Sequence, residues 1–290
     1  MKKKQPVLKG ILVLLAILIF IPVWMVIVAA FSDEKAIAKN GFSLWAATWS
    51  LDGMRYVMRF GSQLVNAYEV TLLVTIGGTL LTLFFTSLFA YALSRNDFIL
   101  RKPLTVYLLI TMIFSGGQLG SYLINSNVFN LRNSLLVLIL PGCIGAMNCI
   151  IMRSFIQANV PDALVEAAEI DGANEYKVFF RIVLPLMTPV LGAIGFMTAV
   201  GHWNQWQTSM LYIDKRELTT LQQLLMRIEN TLEYLSQTEN VSVSDAELWA
   251  SMPTESGRMA LLLCTLGPVL VIYPFFQKYF VKGLTIGAVK

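Results

Sequence analysis

The sequence predicts an all-α fold of the polytopic membrane class, with six transmembrane helices and both termini in the cytoplasm. Three observations predict it. Of the 290 residues, 56% are apolar and only 14% charged, where a soluble domain of this size carries roughly a quarter charged to cover its surface. Six apolar stretches are each about twenty residues long, the length that crosses about 30 Å of hydrocarbon. Lys and Arg collect on alternate connections between them. These features, with a mean hydropathy of +0.64, exclude an ordinary soluble enzyme. The formal excess of +4 is too small to imply nucleic acid, and no basic stripe interleaved with aromatics is present.

The first stretch runs from about Val7 to Phe31. Met1-Lys2-Lys3-Lys4, an apolar run and Val28-Ala29-Ala30 also read as a cleaved signal peptide. A retained span is the better account, because the run exceeds an h-region of about 7 to 15 residues, and Pro22 and Trp24 suit a slightly kinked membrane helix. The second stretch runs from Val70 to Leu93. The third, Leu104 to Tyr122, should break at Phe114-Ser115-Gly116-Gly117-Gln118-Leu119-Gly120, where paired glycines and a glutamine favour a re-entrant turn. The fourth, Leu135 to Met152, carries a kink at Pro141-Gly142. The fifth and sixth run from Val183 to Val200 and from Met259 to Phe276. All are helical, since lipid satisfies no open backbone group and no series of ten-residue alternating strands suggests a barrel. Cys143, Cys149 and Cys264 fall within apolar stretches and read as buried free thiols.

With the N-terminus inside, thirteen of the twenty-two basic residues lie in cytoplasmic segments, among them Lys2, Lys3, Lys4, Arg95, Arg101, Lys102, Arg153 and Lys290. Of the other nine, seven are spread over the longer outer segments, Ser32 to Asn66 and Gln207 to Gly257, so the bias fixes the orientation. In the second of these, Leu218, Leu221, Leu225 and Ile228 have helical spacing and predict an outer helical excursion. Val241-Ser242-Val243-Ser244-Asp245 reads as a mobile loop.

The longest cytoplasmic connection, Arg153 to Ile182, is written as two small helices. Asn159-Val160-Pro161 starts the first, with Pro161 in its first turn. Asp162, Glu166 and Glu169 then form an acidic stripe, with Leu164, Val165, Ala167 and Ala168 around it. Gly172 ends the helix in left-handed geometry. Asn174 caps the second, which carries Lys177 and Arg181 on one face and Val178, Phe179 and Ile182 on another. An amphipathic linker on the lipid surface is the competing reading, but its acids, Asp162, Glu166, Glu169, Asp171 and Glu175, would be repelled by anionic lipid. A protein partner with a complementary cleft is the better match.

These residues carry a resemblance. Glu166-Ala167-Ala168, three residues, Gly172, nine residues, then Ile182-x-Leu184-Pro185 matches the EAA loop of type I ABC importer permeases. Asn66, Ala90-Tyr91-Ala92-Leu93-Ser94-Arg95, Asn133, Trp203-Asn204 and the tail from Tyr279 to Lys290 resemble the carbohydrate-uptake permeases related to the maltose system. Phe114-Ser115-Gly116-Gly117 and Gly201-His202-Trp203-Asn204 resemble the branch for oligosaccharide and polysaccharide-fragment uptake. The resemblance implies a type I importer permease fold in the bacterial plasma (inner) membrane. It assigns residues 1–65 to a first transmembrane helix and outer loop, 66–282 to the permease domain with its EAA loop at about 153–185, and 283–290 to a cytoplasmic tail. It implies as partners a second homologous permease, two ABC ATPase subunits binding ATP and Mg, and an extracytoplasmic solute-binding protein that delivers carbohydrate. The coupling residues would be Glu166, Ala167, Ala168, Asp171, Gly172, Ile182, Leu184 and Pro185. No cofactor is expected on the chain itself.

The chain's own chemistry agrees with a non-enzymatic role. No Gly-x-x-x-x-Gly-Lys-Ser/Thr, Gly-x-Ser-x-Gly or His-Glu-x-x-His occurs, so no phosphate loop, nucleophile elbow or zinc site can be drawn. A self-contained secondary transporter or channel for a neutral polar solute is the rival. It would show an intramembrane ionisable pair or an inverted repeat, and neither is visible. Asn148 and the run His202-Trp203-Asn204-Gln205-Trp206 offer amides and aromatic faces that suit an uncharged polyol, and they are the candidate substrate pathway. Trp203 and Trp206 read equally as an interfacial aromatic belt, and His202 as a residue in a satisfied structural hydrogen bond.

Overall fold

The computed structural model describes residues 5–237 and 255–288, and the expectations for Lys2, Lys3 and Lys4, for Val241–Asp245 and for Lys290 lie outside them. The described chain is helical, with one isolated bridge between Ser32 and Trp49 and no strand. Helix α1 (Gln5–Ala30) bares its apolar side chains from Leu8 to Ile21, as a lipid-facing helix does. At the start of α2 (Glu34–Asn40) the Asp33 carboxylate accepts from Ala36 N at 3.2 Å, satisfying an orphan donor of the first turn. After α3 (Asp52–Met58) comes α4 (Gly61–Ser94), which begins ahead of the Val70 expected. Ser62, Gln63, Asn66 and Glu69 are compatible with helix although not with hydrocarbon, so the helix outruns the apolar stretch at about 51 Å in all.

The break expected within the third stretch is present: α5 (Arg101–Ile113) and α6 (Gly117–Leu123), extended by a π turn to Val128, meet at 117°. Gly117 takes φ +75°, a region open to glycine. In the fourth stretch α7 (Leu136–Ile139) passes into a 3₁₀ turn at Leu140–Gly142, which holds the Pro141-Gly142 expected to kink, and a 50° bend follows across residues 143–145 before α8 (Ala146–Asn159). Helices α9 (Asp162–Ile170) and α10 (Glu175–Val178) follow. A π turn at Phe179–Val183 leads to α11 (Leu184–Leu186) and α12 (Thr188–Trp203). The fifth stretch is therefore also bent, by 77°, where Pro185 and Pro189 withhold backbone donors. The chain ends through α13 (Gln207–Tyr212), α14 (Leu221–Gln237) and α15 (Glu255–Ala288). Leu221, Leu225 and Ile228 are buried as their spacing predicts, whereas Leu218 belongs to a preceding 3₁₀ turn. Among the described residues three helices are long and apolar enough to cross a bilayer unbroken, and three bent pairs have the same composition.

Contacts gather the chain into two compact units, Met1–Val65 with Leu224–Leu270, and Asn66–Gln223 with Val271–Lys290. In the first, the Glu34 carboxylate accepts from Glu255 N and Ser256 N at 2.9 Å each and from Ser256 Oγ at 2.8 Å, capping α15. In the second, the largest core joins the adjacent ends of α4 and α8 to α9, α10 and α12, through Tyr91, Met152, Ile156, Val165, Phe179 and Met187.

Candidate functional site

The helix-turn-helix of residues 159–186 is built as its spacing predicts, with two corrections. Gly172 has φ +77° and Ala173 N returns to Ala168 O at 2.9 Å, closing α9 with a left-handed cap. The Asn174 side chain accepts from Lys177 N at 3.0 Å and starts α10. Pro161, expected in the first turn, is the N-cap instead, with ψ 133°; proline's fixed φ serves there equally well and extended ψ brings the chain in from α8. The buried face of the second segment is Val178, Phe179 and Val183, and Ile182 is only half-buried. The π turn inserts one residue and rotates every later side chain, a shift that a helical period of 3.6 does not foresee.

Val165 plugs α9 into the core, and full burial of such a side chain contributes about 1.5–3 kcal/mol. Ala168 packs beside it. The outward face holds Glu166, Ala167, Asp171 and Gly172 with Leu164, Ile170 at 86% exposure and, from α10, Tyr176 at 74%. Acids interspersed with large exposed apolar side chains are what a partner-binding surface requires. Leu184 is half-buried and Pro185 exposed where the chain enters α11.

A residue at the end of α4 holds this unit in place. Arg95 Nη2 donates to Glu169 Oε1 at 2.6 Å and lies 3.3 Å from Glu175 Oε1, while Arg95 Nε is 3.1 Å from Asp97 Oδ1. Tyr91 donates its hydroxyl to Glu175 Oε2 at 2.6 Å and stacks on Phe179 at 5.4 Å. Burial alone would lower the Arg95 pKa; the hydrogen bond that Arg95 donates to Asp97 and the charges of Glu175 and Asp97 outweigh it and hold the guanidinium above its ordinary range. A cleft of about 280 Å³ separates α9 from the α4 end, with Glu166, Asp162 and Gln157 on its walls. The motif around Tyr91 and Arg95 is visible in the sequence, but its contact with Glu169 and Glu175 is not, because 74 and 84 residues intervene.

The pathway candidates divide. Asn148 lies in the first turn of α8, half-buried. His202 is packed against Gly78 of α4, where an added Cβ would stand 2.6 Å from Nε2, and its Nδ1 lies 3.3 Å from Gln205 Oε1. Trp203 is buried beside Tyr68, at 6.4 Å between rings, whereas Trp206 is exposed. The Asn204 amide donates to Val200 O at 3.0 Å, and its carbonyl accepts from Gln222 at 3.2 Å. The hydroxyls of Thr75, Thr79 and Thr82 on α4 are buried with no hydrogen-bond partner among the described residues. Their spacing of four and three in the sequence was the signal that could have found this unused hydrogen-bonding stripe.

Asn66 and Asn133 converge on one loop. Asn66 Nδ2 donates to Glu217 O at 2.9 Å. Asn133, at φ +56°, accepts from Asp214 N at 2.7 Å and Lys215 N at 3.2 Å, and Arg132 pairs with Asp214 at 2.9 Å. Below them Ser209, Thr220 and Gln223 form a buried network whose Gln223 Nε2 donates to Ile213 O at 2.9 Å. Among the described residues no group of His, Cys, Asp and Glu could hold a metal ion.

Apolar helices and three bent pairs among the described residues define a helical protein of the membrane class. Relatives of known name give that class its family. The polygalacturonan/rhamnogalacturonan transport system permease protein YtcP of Bacillus subtilis is 36% identical over 282 residues, 97% of this chain and 96% of its own length. Protein LplC of the same organism is 34% identical over 93% of this chain and 89% of its own. Among solved structures, a chain of a bacterial ABC transporter involved in the import of the acidic polysaccharide alginate superposes with a TM-score of 0.79 at 25% identity, covering 95% of both chains. No family model matches the chain. The chain belongs to the family of sugar permeases of ABC transport systems.

Proposed function

We propose that this chain is the membrane-spanning permease subunit of an ATP-driven importer that takes up an oligosaccharide delivered by an extracytoplasmic binding protein. In this reading it spans the inner membrane six times, each bent pair counting as one span, with both termini cytoplasmic. Residues 1–65 form a first span and outer loop, 66–282 the permease domain and 283–290 the tail. Helix α9 is the coupling helix, and Glu166, Ala167, Ala168, Asp171, Gly172, Ile182, Leu184 and Pro185 form the loop seated on an ATPase. Two such ATPases bind ATP and Mg, and a second permease completes the path. Asn148 and His202 to Trp206 line the chain's share of it. The observation that carries the reading is the outward face of α9, acidic and apolar together, held on the core by Val165 and Arg95. Relatives named for polygalacturonan and rhamnogalacturonan and for arabinooligosaccharides support a plant-polysaccharide fragment as cargo.

The test is affinity purification of the tagged full chain from membranes of its own cell. An ATPase and a second permease should accompany it, and the ATPase should fall away in a variant with Glu166, Ile170 and Tyr176 all changed to Ser. Recovery of the chain alone from native membranes refutes the importer reading.

A further inference from the structure

A second cleft, of about 780 Å³, opens where the connection into α5 and the start of α5 face Arg153 of α8, with Asn96, Phe98, Arg101, Lys102, Thr105 and Arg153 on its walls. Three of these six are cationic, and among the described residues none of the three has a carboxylate within ion-pair distance. Asp97, also on the cleft wall, is held by Arg95 at 3.1 Å. Arg153 is the most exacting of the set. Its Nη1 donates to Thr105 Oγ1 at 3.2 Å, its Nε is buried with no partner, and Arg101 is close enough for its like charge to act on it. Arg101 donates to the Asn96 carbonyl, a neutral acceptor that leaves its charge uncompensated. Helix α5 starts here without a side-chain cap and with no acid in its first turn, so its positive end adds to the field.

A half-buried guanidinium with unused donors, beside a second guanidinium and an ammonium, is a site for a tetrahedral oxyanion, because guanidinium forks bind phosphate oxygens in pairs. The rim says which phosphate. Ile99 is 92% exposed, and Leu100, Val106 and Tyr107 stand out beside it. A free anion has no use for that apolar margin, whereas an amphiphile covers it with its chains while its headgroup meets the cations. We propose that this cleft binds the phosphate of an anionic phospholipid, with Arg101 and Arg153 on the oxygens and Ile99 and Val106 against the acyl chains. The inference rests on the reading that places the 95–102 connection at the cytoplasmic face, and so assigns the lipid to the inner leaflet.

The experiment is native mass spectrometry of the full chain released from detergent, titrated with phosphatidylglycerol, with phosphatidylcholine and with inorganic phosphate. Phosphatidylglycerol should be retained at least about tenfold more tightly than phosphatidylcholine. The double variant Arg101→Gln/Arg153→Gln should lose that preference, Arg101→Lys/Arg153→Lys should keep part of it, and Lys35→Gln/Lys39→Gln, which removes the same charge from α2, should leave it intact. Equal retention of the two lipids, a preference that survives in the double Gln variant, or capture of inorganic phosphate in place of the lipid overturns the proposal. Ile99→Cys labelled by an impermeant maleimide separates the two claims: labelling from the outer face refutes the orientation, whatever the lipid result.

Discussion

Arg95→Gln isolates the tether between α4 and the candidate coupling helix, since it keeps most of the stem and removes the charge. Hydrogen bonds to charged groups contribute about 1.5–3 kcal/mol when shielded and exposed ion pairs about 0–1 kcal/mol. The Arg95 side chain is 20% exposed while those of Glu169 and Glu175 are 40% and 55% exposed. The 2.6 Å contact with Glu169 therefore falls between the two ranges and the 3.3 Å contact with Glu175 near the lower one. Asp97 lies two residues away on the same connection and tethers nothing to α9. The tether amounts to about 1.5–2.5 kcal/mol, or a docking equilibrium weakened about 10- to 70-fold at 1.4 kcal/mol per decade. Val165, Val178 and Phe179 remain buried in the variant, so the chain should still fold. Hydrogen exchange of the full chain in lipid nanodiscs reads the effect: peptides spanning 162–178 should lose protection by about that factor, while those of α4 keep theirs. Glu169→Gln should show the larger share of that loss, since it leaves the Arg95–Glu175 contact in place, and the double variant little more than Arg95→Gln alone. Protection of 162–178 unchanged in Arg95→Gln would refute the tether.

Gly172→Ala forces a Cβ into φ +77° and should cost the turn about 1–2 kcal/mol, read as faster exchange in 168–174; Gly172→Pro cannot adopt that φ at all and should leave ATP hydrolysis running without uptake in the reconstituted importer. Gly78→Ala places a Cβ 2.6 Å from His202 Nε2 and should destabilise by about 1–3 kcal/mol through overpacking, seen as a lowered Tm that His202→Ala partly restores. Asn133→Ala loses two hydrogen bonds from the 214–215 backbone and strains φ +56°, for about 2–4 kcal/mol together; Asn133→Gly should recover the backbone share of that loss in the same thermal assay.

Where structure follows from a local rule, the sequence suffices. A glycine three residues beyond Glu169 and an asparagine two further on specify a left-handed stop and a cap, and Gly172 and Asn174 supply both. Paired glycines in an apolar run mark the reversal at Gly117. What escaped depends on the backbone losing register. The π turn at Phe179–Val183 moves burial from Ile182 to Val183, and no composition signal announces an extra residue within a helical run. The 77° bend near Met187 is of the same kind: Pro185 and Pro189 allow it, but packing sets the angle. The partners of Arg95, Asn66 and Asn133 escaped for another reason, since contacts across 74 to 151 residues are set by how helices pack.

Those long-range contacts have a mechanical consequence for α4. Near one end, Asn66 grips the backbone at Glu217 and the Thr71 hydroxyl accepts from Leu221 N at 2.8 Å. Near the other, Tyr91 and Arg95 grip Glu175 and Glu169. The span from Asn66 to Arg95 is about 44 Å at helical rise, and its hydrogen bonds run unbroken through Ser94. An unbroken helix resists compression and bending far more than a loop does, so a push on α9 that reaches Arg95 moves the 212–221 segment by translation or rotation of the whole rod. The bent pairs cannot serve this way, because each has a joint at which a displacement is absorbed. The prolines follow this division: α4 holds none, while Pro141, Pro185 and Pro189 fall next to the joints of the bent pairs.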